Sequence, residues 1–443
     1  MTSSNSAAQI ARARWSLIVL FALLGLSYSS WLGRLPTVKE ALNLTESQLG
    51  VVFLAGAIGS LCCVTIAGHL VVRVGGRTLL TISAVGISVA FILEGLGPTL
   101  GSVPLLALGI FLNGCFVALT NVPQNVETAA VERRVGRAIL PHFHAAYSIG
   151  AVVGALIGAA CAAADVPLVT QLSVTAVVTL VVRLVLIPNI VLDTHLSEEE
   201  RWDRARTARQ RRVERAEVRA GIVTPTQPRT LAVLLRSRRA SLGQALGAWR
   251  EPRTVLIGVI IFAAAMSEGS ANNWLAIAVV TGFDRPEATG ALRLSVFLVS
   301  MTFVRLAGTR VIDRYGRVAV LSVSGVTSMV GLIVFGVAPH FSVAVLGIVL
   351  WGAGAALAVP LGISAASDDP LKAAARVSVV SAVASSASLA APPVLGFVAE
   401  VTGTRLALTL IVVFLAVGVA VSRNVAPIQR HSSEDTVVPD EKV

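Results

Sequence analysis

The chain has 443 residues, of which 55% are hydrophobic and only 14% are charged, and its formal net charge is +11 at pH 7. A soluble domain carries about 25% charged residues, which it needs to cover its surface, so this composition argues against a large soluble enzyme. The positive charge lies mainly in short loops and in one central segment. That distribution is typical of a multi-pass membrane protein and argues against nucleic-acid binding.

Apolar runs that are long enough to cross a bilayer as a helix recur along the whole chain. They are rich in glycine and alanine, which favours closely packed helices over the strands of a membrane barrel. We place twelve spans at residues 15–33, 48–69, 78–97, 102–124, 142–163, 167–190, 254–277, 288–308, 318–337, 341–364, 377–399 and 404–422. The sequence therefore predicts an all-α membrane protein with twelve transmembrane helices.

A strongly basic segment, residues 191–253, separates spans 6 and 7. Ser197 precedes Glu200 by three residues, which is the spacing of a helix-capping box. Further on, leucines and Trp249 alternate with arginines, as in an amphipathic helix that lies on an anionic membrane surface. We expect a cytoplasmic linker whose helices contact the lipids of the inner leaflet, with binding of a partner protein as the alternative.

The positive-inside rule sets the orientation, because most Lys and Arg residues fall on the side that holds both termini and the linker. We therefore expect a protein of the cell membrane with both termini in the cytoplasm. The predicted organisation is a cytoplasmic N-terminus at 1–14, a first half at 15–190, the linker at 191–253, a second half at 254–422 and a cytoplasmic tail at 423–443.

Three short motifs recur in the same order about 240 residues apart. The pairs are SYSSWL (27–32) with SANNWL (270–275), GIFLNG (109–114) with GIVLWG (347–352), and RVGGR (73–77) with RYGR (314–317). This repeat indicates two six-helix halves with the same orientation. Parallel halves with a site between them are a common design of transporters.

With these motifs the chain resembles the major facilitator superfamily. GHLVVRVGGR (68–77) is similar to that family's loop motif between helices 2 and 3, and VIDRYGR (311–317) is similar to its second copy. Val72 stands where the family motif has an aspartate. The resemblance implies that these loops form a cytoplasmic clamp that holds the outward-facing state. The gating candidates are Gly68, Arg73, Gly75, Arg77, Asp313, Arg314, Gly316 and Arg317.

A narrower resemblance joins the chain to the YbjJ-like branch of bacterial inner-membrane carriers. It rests on NVETAAVERRVGRAILPHFHAAYSIG (125–150) and PPVLGFVAEVTG (392–403). That branch often has an aspartate before the helix-7 tryptophan, where this chain has Asn273.

The resemblance also implies that helices 1, 4, 7 and 10 line a central cavity, and many polar residues fall on those spans. Amides supply donors and acceptors for a hydroxylated or amide-bearing solute, and aromatic rings supply flat apolar walls. The substrate-binding candidates are Tyr28, Trp31, Arg34, Asn113, Asn121, Gln124, Asn125, Glu268, Asn272, Asn273, Trp274 and Trp351. The alternative is that these groups only hydrogen-bond neighbouring helices.

Glu268 is the candidate for proton coupling, because alternating access would alternate the hydration of an acid inside a membrane span. Arg293 is a possible partner for it. Arg305, near the inner end of span 8, is expected to extend toward the interface. Glu94, near the outer end of span 3, is expected to be solvated.

We expect a secondary active transporter that moves a small polar organic solute by alternating access, with proton coupling as a further expectation. The chain has no HExxH, GxSxG, P-loop or full GxGxxG motif, which argues against an enzyme and against an ATP-driven pump. We expect a monomer without a metal or cofactor. Two alternatives stay open: a multidrug or metabolite efflux antiporter, and a non-transporting receptor or scaffold that acts through the linker.

Overall fold

The computed structural model describes residues 7–136, 139–190, 247–369 and 372–426. Within these ranges the regular structure is helical. The first half consists of α1 (Ala7–Leu32), α2 (Leu35–Ala41), α3 (Glu46–Val74), α4 (Gly76–Thr99), α5 (Val103–Val135), α6 (Leu140–Ala163) and α7 (Leu168–Ile190). The second half consists of α8 (Pro252–Phe283), α9 (Glu287–Tyr315), α10 (Arg317–Val337), α11 (Phe341–Ala355), α12 (Ala358–Ala366), α13 (Ala373–Thr402), α14 (Thr404–Leu408) and α15 (Ile411–Ala420), with a 3₁₀ turn at Ser422–Val425.

Eleven helical segments of the described ranges are long and apolar enough to cross a membrane. The twelfth predicted span is occupied by the shorter apolar segment Thr404–Ala420, which the structure divides into α14 and α15. The predicted all-α membrane fold is thereby confirmed. Of the predicted linker with its amphipathic helices at 191–253, residues 191–246 lie outside the described residues, and Trp249 is exposed just before α8.

Helices α1 and α6 pack against each other at very short range because glycines lie at the contact. The glycines of α6 recur every four residues at 150, 154 and 158. A Cβ atom at Gly150 would overlap the backbone oxygen of Ala22, and one at Gly154 would overlap that of Leu26. The small residues therefore set the distance between these two helices, as they commonly do in membrane proteins.

The two halves meet mainly through two helix pairs, α3 with α13 and α6 with α9, and α8 also contacts α1 and α2. On α3, a Cβ at Gly50 would overlap the backbone of Pro392, and on α13 a Cβ at Gly396 would overlap that of Glu46. We call the end of the bundle where α1 begins and α7 ends the terminal end, and the other the opposite end. The close contact of α3 with α13 lies toward the opposite end, so the halves are held together there.

The turns α3–α4 and α9–α10 at the terminal end are built in the same way. Gly75 has φ 87° and Gly316 has φ 76°, and each residue both ends one helix and starts the next. Side-chain-bearing residues rarely adopt such positive φ values. The loop motif that repeats in the sequence thus corresponds to one turn that occurs in both halves.

Substitution at the α1–α6 contact tests this packing. We expect Gly154→Ala to lower the free energy of unfolding by about 1–3 kcal/mol, because the added methyl group forces the two backbones apart. Gly68→Ala is the matched control, since both positions are helical and gain the same helix propensity, while a methyl group added at Gly68 would meet no neighbouring atom within 4 Å. Thermal unfolding of the purified variants in detergent measures the difference, and equal melting temperatures would contradict the packing argument.

Candidate functional site

A cavity of about 550 Å³ lies between the two halves. Helices α1, α3, α4, α5 and α6 form one side of it, and α8 and α13 form the other. Asn125 and His144 line the cavity toward the terminal end and are exposed there. Trp31, near the opposite end, is buried. The cavity therefore opens toward the terminal end.

The polar groups of the cavity come mainly from the first half. They are Ser27, Tyr28, Ser60, Glu94, Asn113, Asn121, Asn125, His144, Tyr147, Asn273 and Ser388. Only the last two belong to the second half, whose other lining residues are small, such as Ala265 and Gly269. The first half thus supplies most of the hydrogen-bonding groups that a solute would meet.

Glu94 is buried in the cavity wall, with 1% of its surface exposed. Its Oε1 accepts a hydrogen bond of 2.8 Å from Nδ2 of Asn113, and its Oε2 has no hydrogen-bond partner among the described residues. The expectation that Glu94 is solvated is therefore wrong. It lies near the end of α4 along the sequence, but α4 is packed between α5 and α7. The sequence feature that could have indicated its burial is that Glu94 is the single carboxylate inside an apolar run.

Most of the candidates of the first half reach the cavity. They belong to α1 and α5, which correspond to predicted spans 1 and 4. The lining residues among them are Tyr28, Trp31, Asn113, Asn121 and Asn125.

Gln124 does not line the cavity. It is 1% exposed and turns toward α7, where it lines a small hole together with Arg183. Its Nε2 and both terminal nitrogens of Arg183 have no hydrogen-bond partner among the described residues. Gln124 lies at the edge of the cavity face of α5, so the prediction that it lines the cavity is not met.

Among the second-half candidates, the cavity lining includes Asn273 but not Glu268 or Asn272. The cavity face of α8 runs through Ala265, Gly269 and Asn273, which follow one another at intervals of four residues. Glu268 and Asn272 each precede a residue of that face by one position. One position is about 100° around a helix, so the candidates Glu268 and Asn272 are rotated away from the cavity.

The two second-half tryptophans are core residues. Trp351 is fully buried, and its Nε1 donates a hydrogen bond of 2.8 Å to Oγ of Ser267. Trp274 is 1% exposed and lies edge-on to Phe53, with 6.1 Å between the ring centroids. The structure therefore places neither ring at the cavity wall where we expected it.

Arg34 closes the opposite end. Its Nε lies 3.0 Å from Oε2 of Glu287 in the second half, and the other carboxylate oxygen of Glu287 accepts a 2.9 Å hydrogen bond from the backbone N–H of Thr37. Within the first half, Arg34 donates to Oε1 of Gln171 at 2.9 Å and to the backbone oxygen of Val166 at 3.1 Å. Arg34 is thus engaged in the contact between the halves and not in the cavity lining.

Glu268 forms an ion pair with Arg305: Nη2 of Arg305 lies 2.8 Å from Oε2 of Glu268. Nε of Arg305 donates a 3.0 Å hydrogen bond to the backbone oxygen of Ala356, which lies where α11 gives way to α12. Irregular backbone inside a membrane needs such a partner. Arg305 therefore binds inside the second half and does not extend to the interface as expected. Arg293, named above as a possible partner of Glu268, lies over the ring of Phe341 instead, at 5.1 Å.

The gating candidates all lie at the terminal end. Gly75 and Gly316 form the two equivalent turns, and Gly68 lies on an exposed face of α3. The charged candidates are exposed or half-buried: Arg73, Arg77, Asp313, Arg314 and Arg317.

Arg317 pairs with Asp368 at 2.6 Å, and Arg253 pairs with the same carboxylate at 2.9 Å. Nearby, the Arg376 guanidinium holds the pKa of Glu251 below its usual value through a 2.6 Å hydrogen bond. These ion pairs stay within the second half. Among the described residues, no ion pair joins the halves at the terminal end.

Comparison with known proteins yields one family. The family model of the Major Facilitator Superfamily matches residues 16–370 and 257–437. A relative from Sinorhizobium fredii, the uncharacterized transporter y4wD, is 28% identical over 398 residues, which is 89% of this chain and 93% of the relative. An MFS-type transporter from Yersinia pestis is 23% identical over 414 residues, 91% of this chain and 94% of the relative.

Solved structures show the same fold. The nucleoside transporter NupG is 14% identical with a TM-score of 0.65, over 93% of this chain and 98% of that protein. The transporter FucP in its outward conformation is 17% identical with a TM-score of 0.58, over 93% and 99%. These matches leave the narrower likeness to the YbjJ-like branch a prediction. The chain belongs to the Major Facilitator Superfamily, and it is a multi-pass membrane transporter of a small molecule rather than an enzyme.

Proposed function

We propose that the protein is a secondary active transporter that carries a small polar organic solute by alternating access, with its terminal end in the cytoplasm. One observation carries this proposal: the polar cavity between the halves opens at one end, while the Arg34–Glu287 ion pair closes the other. A cavity with access from one side only is what one half of a transport cycle requires. The basic residues at the terminal end support the orientation.

The lining supports a polar solute. Asparagine side chains from both halves offer paired donors and acceptors, and serine hydroxyls add to them. Trp31, Tyr28 and Phe91 provide aromatic surface beside these groups. A volume of about 550 Å³ lies in the range of cavities that hold small organic ligands.

The other half of the cycle requires the contacts at the opposite end to separate. Arg34 and Thr37 would release Glu287, and the cavity would become accessible from that side. At the same time the turns at Gly75 and Gly316 would approach each other. In that state the arginines beside these turns could form the charge clamp that the family resemblance implies.

Proton coupling through Glu268 is part of the proposal, and its ion pair with Arg305 supplies a mechanism. A proton on Glu268 removes the charge that holds Arg305. Arg305 also binds the backbone oxygen of Ala356, and its helix α9 packs on α6 of the other half. Protonation would therefore weaken both the hydrogen bond at the break between α11 and α12 and the contact of α9 with α6.

The two neighbouring asparagines of α8 allow a matched test of the cavity. For any ligand that raises the melting temperature of the purified wild type, we expect Asn273→Ala to weaken binding about tenfold, because it removes a hydrogen-bonding group from the lining. Asn272→Ala is the control, since Asn272 does not line the cavity. A thermal-shift titration measures both. Equal effects of the two variants would indicate that the asparagines connect helices and do not bind solute.

Removing the contact at the opposite end should open the cavity from that side. In a chain whose four native cysteines are replaced, we expect Glu287→Ala to speed labelling of Asn273→Cys by a membrane-impermeant maleimide added outside intact cells. Lys39→Ala is the control, because the Lys39–Glu46 pair of 2.6 Å lies at the same end but within the first half. Equal labelling rates in the two variants would contradict both the closure and the proposed orientation.

The Glu268–Arg305 pair can be tested in proteoliposomes. We expect Glu268→Gln and Arg305→Gln to reduce the dependence of solute flux on a pH gradient more than they reduce solute binding, since both remove the same ion pair. Arg293→Gln should keep that dependence, because Arg293 lies in the same helix but contacts the ring of Phe341 rather than Glu268. If the gradient dependence survives in Glu268→Gln, the coupling role of Glu268 is wrong.

A further inference from the structure

Glu94 is the only carboxylate among the described residues that line the cavity, and no lysine or arginine of those residues lines it. Asn113 satisfies one of its oxygens, while the other has no donor within the described ranges. Glu94 lies toward the closed end, since α4 ends five residues later at Thr99. A solute that enters from the terminal end would meet this carboxylate at the bottom of the cavity.

The groups around Glu94 do not neutralise it. Tyr28 of α1 and Asn113 of α5 face it, and both are uncharged. From α7, Val169 and Leu172 pack against the next residue of α4, Gly95, and they are apolar. These residues contribute no cation.

Lys39 of α2, which also contacts α4, is paired with Glu46 at 2.6 Å. Arg183 of α7 also faces α4, but it lies beside Leu80 and Ala84, ten or more residues before Glu94 along that helix.

Other basic groups near the cavity are paired or lie at its other end. Arg34 binds Glu287 at the opposite end, and Arg305 binds Glu268 in the second half. His144 lines the cavity at its other, terminal end. A buried carboxylate without a cation is costly unless it holds a proton or a positively charged ligand.

We infer that Glu94 binds a protonated amine of the transported solute and that a proton takes the place of this amine when the cavity is empty. The inference rests on the proposed transport function and names its substrate class. The rings of Tyr28, Trp31 and Phe91 line the same cavity, and aromatic rings attract ammonium groups through their faces. The asparagines and serines then bind the hydroxyl or amide groups of the same solute.

Because either a proton or the ammonium group occupies Glu94, binding of the solute exchanges one for the other. The ammonium group of the solute pairs with the carboxylate, and the proton that Glu94 held leaves to solvent, so one positive charge replaces another. A neutral solute that merely hydrogen-bonds to the protonated acid would release no proton. Proton release therefore separates a charged solute from an uncharged one of the same shape.

The experiment uses the purified full chain in weakly buffered detergent solution with two pairs of matched probes: glucosamine with glucose, and 2-phenylethylamine with 2-phenylethanol. We expect at least one amine to raise the melting temperature of the wild type and to release a stoichiometric proton, measured with a pH indicator. Its alcohol counterpart should release none. Glu94→Gln keeps a polar partner for Asn113 but should abolish the release and weaken amine binding about tenfold or more.

Two further variants separate recognition from a structural effect. His144→Gln removes the other ionisable base of the lining, and the number of protons released per bound amine should stay the same in it. Glu94→Asp should restore part of the release that Glu94→Gln loses, because it restores the charge. The inference is overturned if no amine shifts the wild type, if amine and alcohol act alike, or if the release persists in Glu94→Gln.

The outcomes also distinguish this inference from the proposed function. If glucose or phenylethanol binds, and Asn273→Ala weakens that binding while Glu94→Gln does not, the amine assignment fails and the polar cavity remains the transport site. If no probe depends on either residue for binding, the amine assignment fails together with the proposed cavity site.

Discussion

A charged side chain inside a membrane span must find a partner or a water-filled space, and the organisation of this bundle follows that constraint. Arg34 and Glu287 satisfy each other between the halves, and by doing so they close one end of the cavity. Arg305 and Glu268 satisfy each other within the second half, where the same guanidinium also binds the helix break. Glu94 has no such partner among the described residues, and it is the carboxylate that lines the cavity. Among these three carboxylates, pairing with an arginine thus distinguishes Glu268 and Glu287 from Glu94, which is available to a ligand.

The two sides of the cavity differ in the side chains that they present. The first half presents amides, hydroxyls and Glu94, whereas the second half presents mainly small residues such as Ala265 and Gly269. In the proposed cycle, a solute that is hydrogen-bonded to the first half would remain bound while the second half, which presents mainly small side chains, moves relative to it. Sliding of this kind suits the helix pairs between the halves, because glycine contacts such as Gly50 with Pro392 bring backbones together without interlocking side chains.

Much of the fold could be predicted from the sequence because its determinants are local. Span length, glycine spacing and the repeated loop motif are all properties of short segments, and the turns at Gly75 and Gly316 match in backbone geometry. The site was predicted less well because it depends on the direction in which each helix face turns. A difference of one position separates Asn272 from the lining residue Asn273. Long-range pairs such as Arg305 with Glu268 depend on packing that helix periodicity does not encode.

The closure and the ligand site are connected through the end of α1. Tyr28 and Trp31 line the cavity, and Arg34 follows Trp31 by three residues, just after the end of α1. Gln171 links the same stretch to α7, since its Nε2 donates to the backbone oxygen of Ser30 at 3.1 Å while its Oε1 accepts from Arg34. In the proposed cycle, a ligand that shifts the end of α1 would also shift Arg34 relative to Glu287. Binding at the bottom of the cavity and opening of the opposite end would then be two consequences of one displacement, as the proposed alternating access requires.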